Sequence, residues 1–382
     1  MPHADPSGNP QEPHEIADPS HEEAVRALFE QARKVEAAHG GRKQHLVPAS
    51  YLARWSVDDR VRVTEVDTRR SYIARPERVG LETDFYRLKA DDLDADDLPP
   101  LALEVLLSKI EGKAKQGIDE LLAEGAPSPE HGAFLAWFIA LQATRGRAFR
   151  ASMRAQSHEI SKLQYKDLDE AGVKRLIQQN RGEATDAEVA AGMDSITKIL
   201  SDEWTIVPQD AALAAMAAQI AGELVSVLLL QRRWLVYDTP AVLVTCDEPV
   251  VALAGPDGER GESGGFGDAP VILFPLSPTK LLVMLRNDLE PESQLELDHL
   301  EVADINRELV AASFRWVFEQ PSRRVGRAMP VPGPPPTIEV EQVQAESQGV
   351  REVYRFYRPT RWVAAPSTAW PVSRWWVRRG YR

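Results

Sequence analysis

Gln44-His45-Leu46-Val47-Pro48-Ala49-Ser50-Tyr51-Leu52-Ala53-Arg54-Trp55 packs a histidine, a helix-starting proline and an amphipathic turn into one short run. Pro48 can open a helix, because its missing N–H would have no partner in a first turn anyway. Tyr51, Leu52 and Trp55 then share one apolar face. Such a face has to be covered, so the run predicts a small helix docked on a core with His45 at its entry. Taken alone, His45 reads either as a helix-entry histidine at the core edge or as a proton shuttle.

Working outward, residues 1–20 are rich in proline and poor in apolar side chains, which predicts disorder. Val25, Leu28, Phe29 and Val35 then recur at helical spacing over 21–39, and Gly40-Gly41 stops that helix. Alternation over 60–66 predicts a strand, with 71–74 and 84–88 as two more. A helical middle follows. Leu103, Leu106, Leu107, Ile110, Ala114, Leu121 and Leu122 form one face over 100–124, a second long helix covers 129–156, and two or three more reach residue 230. Strands are predicted at 233–237, 242–246, 271–274 and 280–285, around a glycine-rich loop at 255–267. A helix at 300–313 and a strand at 314–319 complete the body. Segregated strands and helices predict an α+β fold, a helical bundle packed on a mixed or antiparallel sheet, rather than a doubly wound parallel sheet. One main domain spans 42–329, a proline-rich linker 330–350, and a basic aromatic tail 351–382.

The net charge of −13 is unevenly spread. Residues 351–382 hold eight Arg against Glu352 alone, about +7, which leaves about −20 on the rest. An acidic body repels nucleic acid at long range, whereas the tail attracts anions. No apolar run is read as reaching the roughly 20 residues that cross a bilayer, the longest lying at 224–230. The N-terminus has no basic start followed by an apolar segment, and the single Cys246 fits a reducing compartment. The expectation is a cytoplasmic protein without a membrane partner.

There is no phosphate-binding P-loop, G-x-S-x-G elbow or H-E-x-x-H, and no zinc, haem or dinucleotide signature. At 100° per residue, Phe134, Phe138, Leu141 and Phe149 share a face of the 129–156 helix with Gln142 and Arg145, while Arg147, Arg150 and Arg154 point away. The outward arginines read as a solvated basic face or, alternatively, as a nucleic-acid patch. A guanidinium aimed at a core needs a carboxylate, since an unpaired buried charge costs several kcal/mol. Glu104 and Glu111, seven residues apart on one helix side, and Asp247, at a strand end before Pro249, are the candidates. Two readings follow. Arg145 belongs to a buried structural ion pair, or His45, Glu111, Gln142, Arg145 and Asp247 form one polar site. In the second, His45, Glu111 and Asp247 are catalytic candidates, while Gln142 and Arg145 bind an anion. One histidine with the two carboxylates Glu111 and Asp247 would suit Mg²⁺ or Mn²⁺ better than zinc.

In the tail, Arg355, Tyr357, Arg361, Trp362, Trp375 and Trp376 are candidates for engaging a nucleic-acid or protein partner, because arginine interleaved with aromatics stacks on bases and anchors interfaces. The alternative is an extra strand and loop folded back on the acidic body.

Gln44-His45-x-Val47-Pro48-x-x-Tyr51-Leu52, Asp84-Phe85-Tyr86, the Glu104–Glu111 helix, Gln142-x-x-Arg145, Thr245-x-Asp247-x-Pro249-Val250 and Pro275-Leu276-Ser277-Pro278 occur in this order. As a set they resemble the bacterial family called domain of unknown function 4238, over roughly residues 42–320. Cys246 stands where the family usually has serine, and Gly146 where it more often has threonine. The resemblance implies no agreed activity; some members look like phage-defence genes, which implies an effector acting on a phosphate-containing or nucleic-acid substrate. The competing expectation is a non-catalytic scaffold whose tail binds a partner.

Overall fold

The computed structural model describes residues 19–39, 43–88, 99–240, 243–256, 258, 265–290, 294–333, 338–343, 353–357, 360–364 and 370–377. Of the disordered lead expected at 1–20, residues 1–18 lie outside these residues while Pro19 and Ser20 are the first turn of a helix, and the Gly40-Gly41 stop, the centre of the glycine-rich loop and parts of the linker and tail also lie outside them.

The chain opens with α1 (Pro19–His39), β1 (Lys43–His45), α2 (Ala49–Leu52), β2 (Val61–Glu65), β3 (Ser71–Ala74) and β4 (Leu81–Thr83). The helical middle is α3 (Ala102–Glu124), α4 (Pro129–Thr144), α5 (Arg147–Tyr165), α6 (Glu170–Arg181), α7 (Asp186–Leu200) and α8 (Asp210–Leu230). Next come β5 (Arg232–Asp238), β6 (Thr245–Cys246), β7 (Val251–Leu253), β8 (Val271–Ser277), β9 (Lys280–Arg286), α9 (His299–Ala312), β10 (Trp316–Glu319) and α10 (Val325–Ala328). The last strands are β11 (Glu339–Val343) and β12 (Val353–Tyr357).

The antiparallel sheet β5-β9-β8-β7 organises the body. Its strands alternate between two cores. Ile272, Phe274, Leu276, Leu282 and Met284 face the helical bundle, whereas Val271, Leu273, Leu281, Val283 and Leu285 face α9. With both faces covered, β8 reads as an almost continuous apolar run. A second antiparallel sheet, β3-β2-β10-β6, joins the N-terminal strands to the C-terminal half. The molecule is an α+β protein with its bundle on an antiparallel sheet.

Pro48 caps α2 from outside the helix, and Tyr51, Leu52 and Trp55 are buried on the sheet. The Tyr51 hydroxyl donates to the Pro275 carbonyl at 2.7 Å, and the Trp55 indole donates to Leu243 at 2.9 Å, which ties the opening run to the second half of the chain.

Several expectations are corrected. The strand expected at 84–88 is a turn, because Asp84 adopts φ 55° and breaks away from β4. Leu106 does not belong to the buried face of α3; it is exposed, while Val105 and Ile118 are covered. The single helix expected over 129–156 is two helices, broken at Arg145-Gly146, so a helical wheel cannot be projected past that point. The apolar run ending at Leu230 is longer than expected: α8 is long and apolar enough to cross a membrane by length and composition. Its Leu213, Ala217, Ala221, Leu224 and Leu228 are buried within the body, which packs α8 against α4 and β5.

The tail folds back on the body. Trp375 is fully buried, with its ring centroid 5.5 Å from that of Tyr237, and the Trp362 indole donates to Glu308 at 3.0 Å. Arg361 donates to the Gly333 carbonyl and lies 3.3 Å from Asp67, while Arg374 pairs with Glu301. Trp376 is half-buried against Gly255. Of the remaining expected partner-facing residues, Arg355 is exposed on β12, the strand that Tyr357 ends. Burial in the body takes Arg361, Trp362 and Trp375 away from any partner-facing surface.

Candidate functional site

Four elements meet around Arg145. Gln142 and Arg145 stand three residues apart at the C-terminal end of α4, both buried, where a cation is also favoured by the helix dipole. From α3, Glu111 accepts from Arg145 Nη1 at 3.0 Å. From β1, Gln44 donates to Glu104 at 2.8 Å and accepts from the Tyr86 backbone N–H. The left-handed turn at Asp84 delivers Tyr86, whose ring centroid lies 5.6 Å from Arg145 Cζ.

The break after α4 sets this geometry. Gly146 is the N-cap of α5, and Glu248 supplies the cap by accepting from Ala148 N at 2.8 Å. A Cβ on Gly146 would fall 2.3 Å from Glu248 Oε2, so this carboxylate occupies the place of the missing side chain. Arg147, Arg150 and Arg154 are not a free basic face, since α5 starts on its own axis: Arg147 pairs with Glu82, and Arg150 and Arg154 each lie 3.5 Å from Asp210. Arg150 also covers the Phe85 ring at 4.1 Å.

Polar atoms around Arg145 are left over. Tyr86 OH, Gln142 Nε2, Arg145 Nε and Nη2, and His45 Nε2 are buried with no protein hydrogen-bond partner. Burial raises the Tyr86 phenol to about 12, so it remains a donor at neutral pH. Burial lowers His45, partly opposed by hydrogen bonds to the backbone of Pro76 and Glu77, and the Arg145 charge lowers it further. A neutral imidazole that donates to backbone carbonyls through its other nitrogen keeps a lone pair on Nε2. Burial also raises Glu104, against its hydrogen bond from Gln44, and Glu111 adds to the rise. The cluster therefore combines hydrogen-bond donors, a neutral base and a carboxyl that holds its proton more strongly than usual.

His45, Glu111, Gln142 and Arg145 are thus brought together. Asp247 is held elsewhere. Its two oxygens accept from Phe314 N at 2.9 Å and Arg315 N at 2.8 Å, pinning the turn between α9 and β10. Burial raises it to about 6 despite these bonds. Among the described residues no hydrogen bond or ion pair links Asp247 to His45, Glu111 or Arg145, and Glu111 and Asp247 belong to no metal-sized cluster of three or more ligand groups there. His158, Glu159 and Asp202 do cluster, but Lys162 Nζ sits 2.8 Å from Asp202 and supplies the cation there.

Sequence reasoning did not place Gln44, Tyr86 or Glu248 in the site. Gln44 and Tyr86 lie in motif pieces that were legible, and Glu104 was read only as a partner for Arg145.

Fold and polar cluster together define an α+β protein with a buried arginine-centred polar site. The family described as "Protein of unknown function (DUF4238)" matches residues 43–323, and the chain belongs to it. No curated protein and no solved structure matches.

Proposed function

We propose that this polar cluster binds the phosphate group of a substrate and hydrolyses its ester bond by general acid–base chemistry. The supporting observation is the set of buried donors without protein partners on Tyr86, Gln142 and Arg145. An unsatisfied buried polar group costs about 1–3 kcal/mol, so several at one place favour an acceptor-rich ligand. Arginine presents its donors as a fork that matches phosphate oxygens. His45 Nε2 takes a proton from the attacking water as its oxygen bonds to phosphorus, the phosphorus–oxygen bond to the leaving group breaks, and the resulting imidazolium returns the proton to the departing oxygen. A defence role against phage rests on the family likeness alone.

The competing reading is a structural Arg145–Glu111 pair. The two predict opposite results for Arg145→Met. Breaking a structural buried pair costs about 3–5 kcal/mol. In a ligand site, the ligand-free variant keeps its stability, because only one of the guanidinium nitrogens has a protein partner. Phosphate at 100 times its Kd stabilises the native protein by about 2.7 kcal/mol. Thermal unfolding with and without phosphate should show that rise in the native protein and none in Arg145→Met. A variant that unfolds several kcal/mol more easily and a native protein indifferent to phosphate would establish the structural reading.

A further inference from the structure

Strand β3 is an open edge of the β3-β2-β10-β6 sheet, and among the described residues no strand pairs with its outer side. The hairpin leading into it closes with Glu65 N donating to the Arg70 carbonyl at 2.9 Å. Antiparallel positions alternate from there. Tyr72 and Ala74 therefore bond to Val63 and Val61, while the N–H and C=O groups of Ser71 and Ile73 turn to the open side. This short edge also shows apolar side chains, with Tyr72 36% and Ile73 45% exposed.

Cations surround the edge. Ile73 lies opposite Arg62 in the register, so the two share a sheet face. Arg62 Nε donates to the Pro321 carbonyl at 3.0 Å, and Arg69 Nη1 donates to the Gly326 carbonyl at 3.0 Å. These bonds bring the turn 321–324 and α10 beside the same hairpin. Arg60, Arg70, Arg323, Arg324 and Arg327 are exposed there, and none of their guanidinium groups makes an ion pair among the described residues. In a chain of net charge −13, unpaired arginines gathered around one hairpin are a local reversal of sign. They lie apart from the Arg145 cluster in the fold, and the phosphate reading does not use them.

We propose that β3 is the docking edge for an extended acidic segment of a protein partner, which adds to the four-stranded sheet as a further strand. The outward backbone groups of Ser71 and Ile73 supply the main-chain bonds, and alternate side chains of the guest fall on the two faces. Those on the Arg62 face meet arginines and favour Asp or Glu. Those on the other face lie beside Tyr72 and favour apolar groups. A second copy of this edge carries the same positive charge and is repelled, which disfavours self-pairing. A single-stranded nucleic acid matches the charge but leaves the outward N–H and C=O groups of β3 without a strand to bond.

Fluorescence anisotropy of the full chain with a labelled octapeptide of alternating Asp and Val tests the proposal, beside a Lys–Val counterpart and a single-stranded oligothymidylate of equal charge. The Asp–Val peptide should bind and the Lys–Val peptide should not. Arg323→Ser combined with Arg324→Ser should weaken the Asp–Val peptide about tenfold. The melting temperature of that variant should be unchanged, since neither guanidinium has an ion pair to lose among the described residues. N-methylation of alternate peptide amides separates strand addition from charge attraction. One methylated set should abolish binding and the other should leave it, the Asp amides being the set that faces β3 in an antiparallel guest. Equal loss or equal retention in the two methylated peptides overturns strand addition. Absence of Asp–Val binding, or tighter binding of the oligothymidylate, overturns the acidic-peptide assignment.

Discussion

Gly146→Ala tests the junction that sets Arg145 in place. The added Cβ would sit 2.3–2.6 Å from the Glu248 carboxylate atoms, inside any tolerable contact. Backbone strain is not the issue, since Gly146 has φ −76° and ψ 176°. Glu248 has to withdraw from Ala148 N and leave the first turn of α5 uncapped. Loss of an N-cap costs about 0.5–2 kcal/mol, and moving a carboxylate away from a helix N-terminus about 0.3–1 kcal/mol more. Against this, Gly→Ala restricts the unfolded chain and returns about 0.4–1 kcal/mol. The balance is a net destabilisation of about 1 kcal/mol. Urea denaturation of wild type, Gly146→Ala, Glu248→Ala and the double variant measures it, with m unchanged. Both single variants remove the same cap, so the double variant should cost clearly less than their sum. Additive effects, or a Gly146→Ala protein as stable as wild type, would refute the capping account.

Three further outcomes follow from the same geometry. Trp375→Ala should cost about 3–5 kcal/mol, and truncation after Pro336 should lower the melting temperature, because the tail packs into the core around Tyr237; unchanged melting would return the tail to a free binding role. Asp247 titrates near 6 in the folded protein, above its ordinary value of 3.8, so its charged form opposes folding above pH 6 and the penalty is relieved as pH falls through 6. The stability of wild type relative to Asp247→Asn should therefore rise by about 2 kcal/mol between pH 7 and pH 4, and a fall over that range would contradict the burial argument. Tyr51→Phe should cost about 1–2 kcal/mol by leaving the Pro275 carbonyl and Thr245 hydroxyl without their buried partner; a neutral result in urea denaturation would remove Tyr51 as a tie between the opening run and β8.

Helix–strand segregation was readable because periodicity and turn residues are local signals, and the α+β class follows from their order. The α4–α5 break was not. Glycine inside a helical pattern is tolerated, and the residue that makes Gly146 a boundary, Glu248, lies 100 positions from Ala148, whose N–H it caps. Arg145, Gln142 and Glu111 could be grouped because helical spacing puts the first two on one face and Glu111 on the adjoining helix. Tyr86 escaped because its approach depends on the positive φ of Asp84. Asp247 appeared to be a site carboxylate because its true partners are backbone amides, which leave no trace in the side-chain pattern.

His45, at the head of the opening run, gains chemical meaning only through what Arg145 and Tyr86 hold beside it. Anomalous scattering from crystals soaked in tungstate, a tetrahedral dianion shaped like phosphate, locates that species directly. The account predicts one dominant site within hydrogen-bond reach of Tyr86 OH, Gln142 Nε2 and the unpartnered Nε and Nη2 of Arg145. No tungsten at these donors at saturating concentration would contradict it.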